Sequence, residues 1–180
     1  MKIIVILSTL LMLSGCATLY KLDDAITDPG KRYQEPSTGK TAQVRVIYNI
    51  GADVSIYPNS LVRKDMLKDP DGGAAITKRN RAGLMKVTYQ PKSLGMPDTP
   101  KDFSNFGEFK VPADKFILVR MSYSNVDNIR SISCPLKVFK VKFEENKNYT
   151  LNMGVGSRCH YQLYENKDNK FIDIKQIEEI

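Results

Sequence analysis

Apolar residues fall at every second position in one short run after another along this chain, a period that belongs to strands with one buried face. Val44, Val46 and Tyr48 share a face of residues 43–49. After a turn at Gly51 the run Val54-Ser55-Ile56-Tyr57 continues to a stop at Pro58-Asn59-Ser60, a candidate hairpin. Further strand signals lie at 84–89, 106–111, 116–123, 136–143, 149–153, 159–164 and 171–177. The body offers one short helical candidate, 61–68, ended by Asp69-Pro70-Asp71-Gly72-Gly73. Short alternating runs separated by turn residues predict an all-β fold, an antiparallel β-sandwich or barrel-like sandwich of about seven to nine strands. The chain has 180 residues, 42% hydrophobic and 26% charged, a composition that fits one globular domain. Three cysteines and one histidine leave no ligand set for a four-cysteine iron–sulfur site or a multi-histidine metal cage, so no cofactor or metal is expected.

Residues 1–15 read differently. Lys2 precedes Ile3-Ile4-Val5-Ile6-Leu7 and Leu10-Leu11-Met12-Leu13. That apolar stretch is too short to span about 30 Å of hydrocarbon with polar flanks, and it has the pattern of a signal peptide. Its end, Leu13-Ser14-Gly15-Cys16, resembles the lipobox of bacterial lipoproteins. The resemblance implies cleavage before Cys16 and acylation of that cysteine, palmitate included. One acyl chain binds a bilayer only marginally, whereas the three chains of such an anchor hold permanently. Ala17, where a retention signal would place Asp, implies by the sorting rule of enteric-type bacteria an outer-membrane protein facing the periplasm.

Residues 16–42 carry Asp23-Asp24, Asp28-Pro29-Gly30 and Glu35-Pro36-Ser37-Thr38-Gly39 without apolar periodicity. They read as the lipidated cysteine and a tether, which if flexible reaches roughly 25 to 30 Å. The sandwich domain is then expected at 43–180.

Within it, Phe139, Val141 and Phe143 alternate on one side of a turn, and Tyr149, Leu151 and Met153 on the other. Pairing Phe143 with Tyr149 and Phe139 with Met153 makes a hairpin with one apolar face. In that register Cys134 faces Arg158, and a one-residue bulge at Gly154 or Gly156 brings Cys134 opposite Cys159. With Cys16 acylated and the compartment oxidising, a Cys134–Cys159 disulfide is expected. The competing reading is a nucleophilic cysteine served by His160, but adjacent strand residues point to opposite faces.

Other chemistry is thinly represented. There is no G-x-S-x-G elbow, and the acid doublets Asp23-Asp24, Glu144-Glu145 and Glu178-Glu179 are local pairs in a linker, a turn and a terminus. Asp69-Pro70-Asp71-Gly72-Gly73 lacks the third acid and the distal glutamate of a calcium loop, and reads as a turn. Residues 67–83 read as a long loop carrying Lys78, Arg79 and Arg81, a candidate binding surface for an acidic partner or an anionic headgroup layer. Nucleic acid is disfavoured by compartment and by the absence of interleaved aromatics.

These features describe a noncatalytic membrane-anchored lipoprotein presenting a β-rich interaction module in the cell envelope, with the bilayer and an envelope protein as partners. Two other readings are an immunity or inhibitor lipoprotein that blocks an enzyme with an exposed loop, and an envelope hydrolase, which needs His160 or a perturbed acid in a concave site. The general architecture is similar to small β-sandwich lipoproteins of secretion machines, including the outer-membrane lipoprotein of the type VI system. The residues matched are the four of the lipobox.

Overall fold

The alternating apolar positions become the two inner faces of a sandwich. The computed structural model describes residues 31–47, 51–81, 84–87, 92–97, 106–126, 131–155, 159–166, 170–171 and 177–179. Among these are strands β1 Thr41–Ile47, β2 Ala52–Tyr57, β3 Gly73–Arg81, β4 Leu84–Val87, β5 Phe106–Pro112, β6 Phe116–Val126, β7 Ser131–Lys142, β8 Asn148–Val155, β9 Cys159–Glu165, β10 Lys170–Phe171 and β11 Ile177–Glu179, with a 3₁₀ helix at Arg63–Lys68. They build a first sheet of order β10-β9-β8-β1-β5 and a second of order β11-β7-β6-β2-β3-β4. Neighbours are antiparallel except β1 and β8, which run parallel. The all-β sandwich read from the alternation is the observed architecture.

Val44 and Val46 of β1, Phe109 and Val111 of β5, and Tyr149, Leu151 and Met153 of β8 pack against Val54 and Ile56 of β2, Ile117, Val119 and Met121 of β6 and Val141 of β7. A second, smaller cluster lies on the outer face of the second sheet, where Met66 of the 3₁₀ helix covers Tyr57, Leu118 and Val138.

Both expected hairpins turn out to be crossovers. β1 and β2 lie in different sheets, and so do β7 and β8. Phe143 and Tyr149 do meet, with ring centroids 5.0 Å apart, but across the core instead of along a ladder. Alternation states which residues share an interior; it is silent on which sheet each belongs to. The Glu144–Lys147 turn is tied to β1 by the Asn146 amide, which donates to the Thr41 carbonyl at 2.9 Å.

The disulfide expectation holds, by a different geometry. Cys134 and Cys159 are bonded, with Cα atoms 5.7 Å apart, and the bridge joins β7 of one sheet to β9 of the other. The β8–β9 register runs unbroken through Gly154, so no bulge sits there, and Gly156 lies outside the described residues. The bulge is in β7: Met121 pairs with Lys137 but Tyr123 with Cys134, so one residue of β6, Ser122, opposes two of β7, Pro135 and Leu136. Pro135, which has no N–H to give a ladder, occupies the irregularity. The slip reverses parity, so that even-numbered Cys134 and odd-numbered Val141 both enter the core. The Tyr161 hydroxyl donates to the Pro135 carbonyl at 2.9 Å, satisfying an acceptor at the bulge.

Two boundaries move. Residues 31–42, expected as tether, belong to the body: Tyr33 is buried, its amide donates to the Ala74 carbonyl at 3.1 Å, and the Ala74 amide donates to the Lys31 carbonyl at 2.8 Å. On the other sheet the Tyr33 hydroxyl donates to the Lys110 carbonyl at 2.8 Å and Glu35 accepts from the Lys110 amide at 3.2 Å. This strap spans from β3 to β5. Together with Lys92, whose carbonyl accepts from the Glu108 amide at 2.8 Å, it covers the β5 edge and so removes a template for strand addition. The folded body therefore includes residues 31–42.

Of the expected 67–83 loop, residues 67–81 are not a loop either. They comprise the end of the 3₁₀ helix, the Asp69–Gly72 turn and β3, whose first half pairs with β2 and second half with β4. Period-2 alternation is broken there because a bulge places both Ala75 and Ile76 in the core.

The outer face of the first sheet hides an ion pair. Arg45 and Glu108, register partners on β1 and β5, are both fully buried. Arg45 donates through Nε and Nη2 to Glu108 Oε1 at 3.0 and 2.8 Å, and through Nη2 to the carbonyls of Met96 and Pro97 at 3.0 and 3.2 Å. Glu108 Oε2 accepts from the Ser93 hydroxyl at 3.1 Å and from the amides of Leu94 and Met96. Burial pushes the Glu108 carboxyl up, but the Arg45 guanidinium and these two amides outweigh it and hold the carboxyl below its ordinary value. Residues 92–97 are thereby clamped over the sheet.

Candidate functional site

Where the strap turns into β1, the chain leaves an open groove of about 530 Å³ at one end of the sandwich. One wall is residues 34–40. The other is the Pro58-Asn59 turn after β2, Asp71, and the β5–β6 turn with Pro112, Ala113 and Lys115. Prolines fix three points of the lining, Pro36, Pro58 and Pro112, so the backbone there is stiff.

The polar rim is organised by internal pairs. Lys40 Nζ donates to Asp114 Oδ2 at 2.9 Å and lies 3.2 Å from Glu145 Oε2. The hydrogen bonds to Asp114 and Glu145 raise the Lys40 pKa, and the bond from Lys40 is the main cause of the lowered Asp114 pKa. Asp114 adopts φ 58°, a left-handed conformation that aspartate tolerates better than most residues. On the far wall Lys115 donates to Asn59 Oδ1 at 3.2 Å, and the Asn59 side-chain amide donates to Asp69 Oδ1 at 3.2 Å and Asp71 Oδ2 at 2.9 Å. Asp69 also accepts from the Asn59 amide and the Ser60 hydroxyl at 2.8 and 2.9 Å. The Asp69 and Asp71 carboxylates are thus engaged by donors of the Asn59-Ser60 turn.

No family model, curated protein or solved structure matches the chain.

The residues singled out from sequence do not converge on this groove. Cys16 lies outside the described residues, as do Asp23 and Asp24. Lys78, Arg79 and Arg81 stand on β3, register partners of Val87, Lys86 and Leu84 of β4, on a paired strand and not a loop; their side chains lie outside the described residues. Cys159 is spent in the disulfide, and neighbouring His160 is exposed on β9, so the two form no nucleophile–base couple. Glu144 and Glu145 turn away from each other, to Lys147 at 2.8 Å and Lys40 at 3.2 Å. Glu178 and Glu179 pair in register with Lys140 and Phe139. The groove residues Lys40, Asn59 and Lys115 carried no sequence signal beyond their neighbouring Pro and Gly, because the groove is assembled from segments far apart in the chain.

Chemically, the groove offers ammonium, carboxylate, amide and hydroxyl groups on rigid walls. Its lining includes no histidine or cysteine. These groups can donate hydrogen bonds to, and accept them from, a polar chain segment.

Proposed function

We propose that the protein is a noncatalytic lipoprotein, held through acylated Cys16 in a bacterial envelope membrane, whose β-sandwich presents the end groove to an envelope protein. The observation that carries this reading is the groove itself: about 530 Å³, proline-walled, and rimmed by charges of both signs held in place by Lys40–Asp114 and Lys115–Asn59. A membrane anchor raises the local concentration of such a module near membrane-bound partners, so that modest intrinsic affinity suffices.

Occlusion tests it. Thr38 is exposed on the groove wall, so Thr38→Trp fills the groove without touching the core. Crosslinking pull-down from intact membranes is expected to recover the partner with the wild type and to lose it with Thr38→Trp, at unchanged melting temperature. Equal recovery from both contradicts groove recognition.

A further inference from the structure

The 3₁₀ helix Arg63–Lys68 has a second face. Met66 points inward over Tyr57, Leu118 and Val138. In the same short segment Leu61, Val62 and Leu67 are exposed at 56, 43 and 59%, unusual for large apolar side chains gathered on seven consecutive residues. The cations Arg63, Lys64 and Lys68 are interspersed with them and also exposed, against a single half-buried acid, Asp65. None of the three takes part in an ion pair among the described residues.

The same outer face of the second sheet continues the pattern. Phe116, two residues before Leu118 on β6, is 44% exposed. Lys140 lies 4.8 Å from its ring centroid, and its register partner is Lys142, also exposed. Apolar side chains rimmed by cations fit a bilayer interface with anionic headgroups: aliphatic tips enter the acyl boundary while lysine and arginine stems reach back to phosphate. A protein partner would need a pocket matched to each tip; a lipid surface needs only depth and negative charge.

We propose that Leu61, Val62, Leu67 and Phe116, framed by Arg63, Lys64, Lys68 and Lys140, form a docking surface for an anionic phospholipid leaflet, and lay the outer face of the second sheet against it. The inference does not require Cys16 to be acylated, because it concerns where the helix lies and not what tethers the chain.

Photo-crosslinking in the full chain reads this directly. A benzophenone side chain is placed at Leu67, or at Gln162, which is exposed on β9 of the other sheet, and the protein is mixed with vesicles of phosphatidylcholine alone or with phosphatidylglycerol added. Lipid adducts are expected at Leu67 in the anionic vesicles only, and not at Gln162. In Arg63→Gln/Lys64→Gln/Lys68→Gln the docked-to-undocked ratio is expected to fall by roughly a hundredfold, about fivefold for each charge near an anionic surface. All these positions are exposed, and an unchanged melting temperature confirms the fold. Adducts that are absent, equal at Gln162, indifferent to phosphatidylglycerol, or formed to a second copy of the chain instead of lipid overturn the proposal. Acylation is scored separately, by mass spectrometry of the Cys16 peptide.

Discussion

Glu108 and Arg45 show how a single residue can matter for what it leaves behind. Replacing Glu108 by Gln keeps the shape but strands a buried guanidinium, and a loss of about 3 to 5 kcal/mol is expected in denaturant titration. Replacing both, as Arg45→Met/Glu108→Leu, removes the charges together but leaves the Leu94 and Met96 amides and the Met96 and Pro97 carbonyls without these partners, so it is expected to cost less than Glu108→Gln without becoming stabilising; a double variant less stable than Glu108→Gln contradicts this view of the pair. The pH dependence has a definite sign. Because the folded carboxyl titrates below its unfolded value of about 4.3, its stabilisation is complete above that value and is lost as pH falls through the depressed one. The wild type is therefore expected to lose more stability below about pH 4 than the double variant does. The disulfide acts at the same scale. Cys134→Ala opens a link across 25 residues and is expected to lower stability by about 2 to 5 kcal/mol, and unfolded, unreduced protein should show no titratable thiol at either position.

At the scale of elements, the strap depends on a close backbone approach at Gly73. A Cβ on Gly73 would stand 2.3 Å from the Lys31 carbonyl oxygen, where the strap makes its parallel bridge between Arg32 and Ala74. Gly73→Ala is expected to cost about 1 to 3 kcal/mol and to expose the Tyr33 amide to hydrogen exchange before the rest of the body; uniform exchange in wild type and variant contradicts the strap as a separate element. Strands were legible wherever period-2 alternation is intact, as in β1, β2, β6 and β8. β3 was not, since its bulge at Ala75 spoils the period and residues 78–81 are polar. Before β1 the strap carries one large apolar residue, Tyr33, among Pro, Gly and charged neighbours, and so has the composition of a linker although both sheets bind it. The cysteine pairing was legible while its geometry was not, because parity along β7 reverses at Pro135 and the two cysteines approach from opposite sheets. The groove was beyond reach for the same physical reason: its walls come from residues 34–40, 58–59 and 112–115, brought together by the crossovers between sheets.

For the whole molecule, the sandwich sets a rigid platform with three faces put to different uses. The first sheet's outer side is sealed by residues 92–97 over the Arg45–Glu108 pair. The end groove is open, and the second sheet's outer side bears apolar tips among cations. In our account a lipid anchor at Cys16 gives these surfaces their setting: it holds the groove near envelope partners and brings the cationic face to the leaflet. The anchor is thus the claim on which the proposed function depends, and metabolic labelling with palmitate in a bacterial host tests it most directly. Wild-type protein is expected to carry label and Cys16→Ala to carry none; equal labelling of the two, or none in either, contradicts the account.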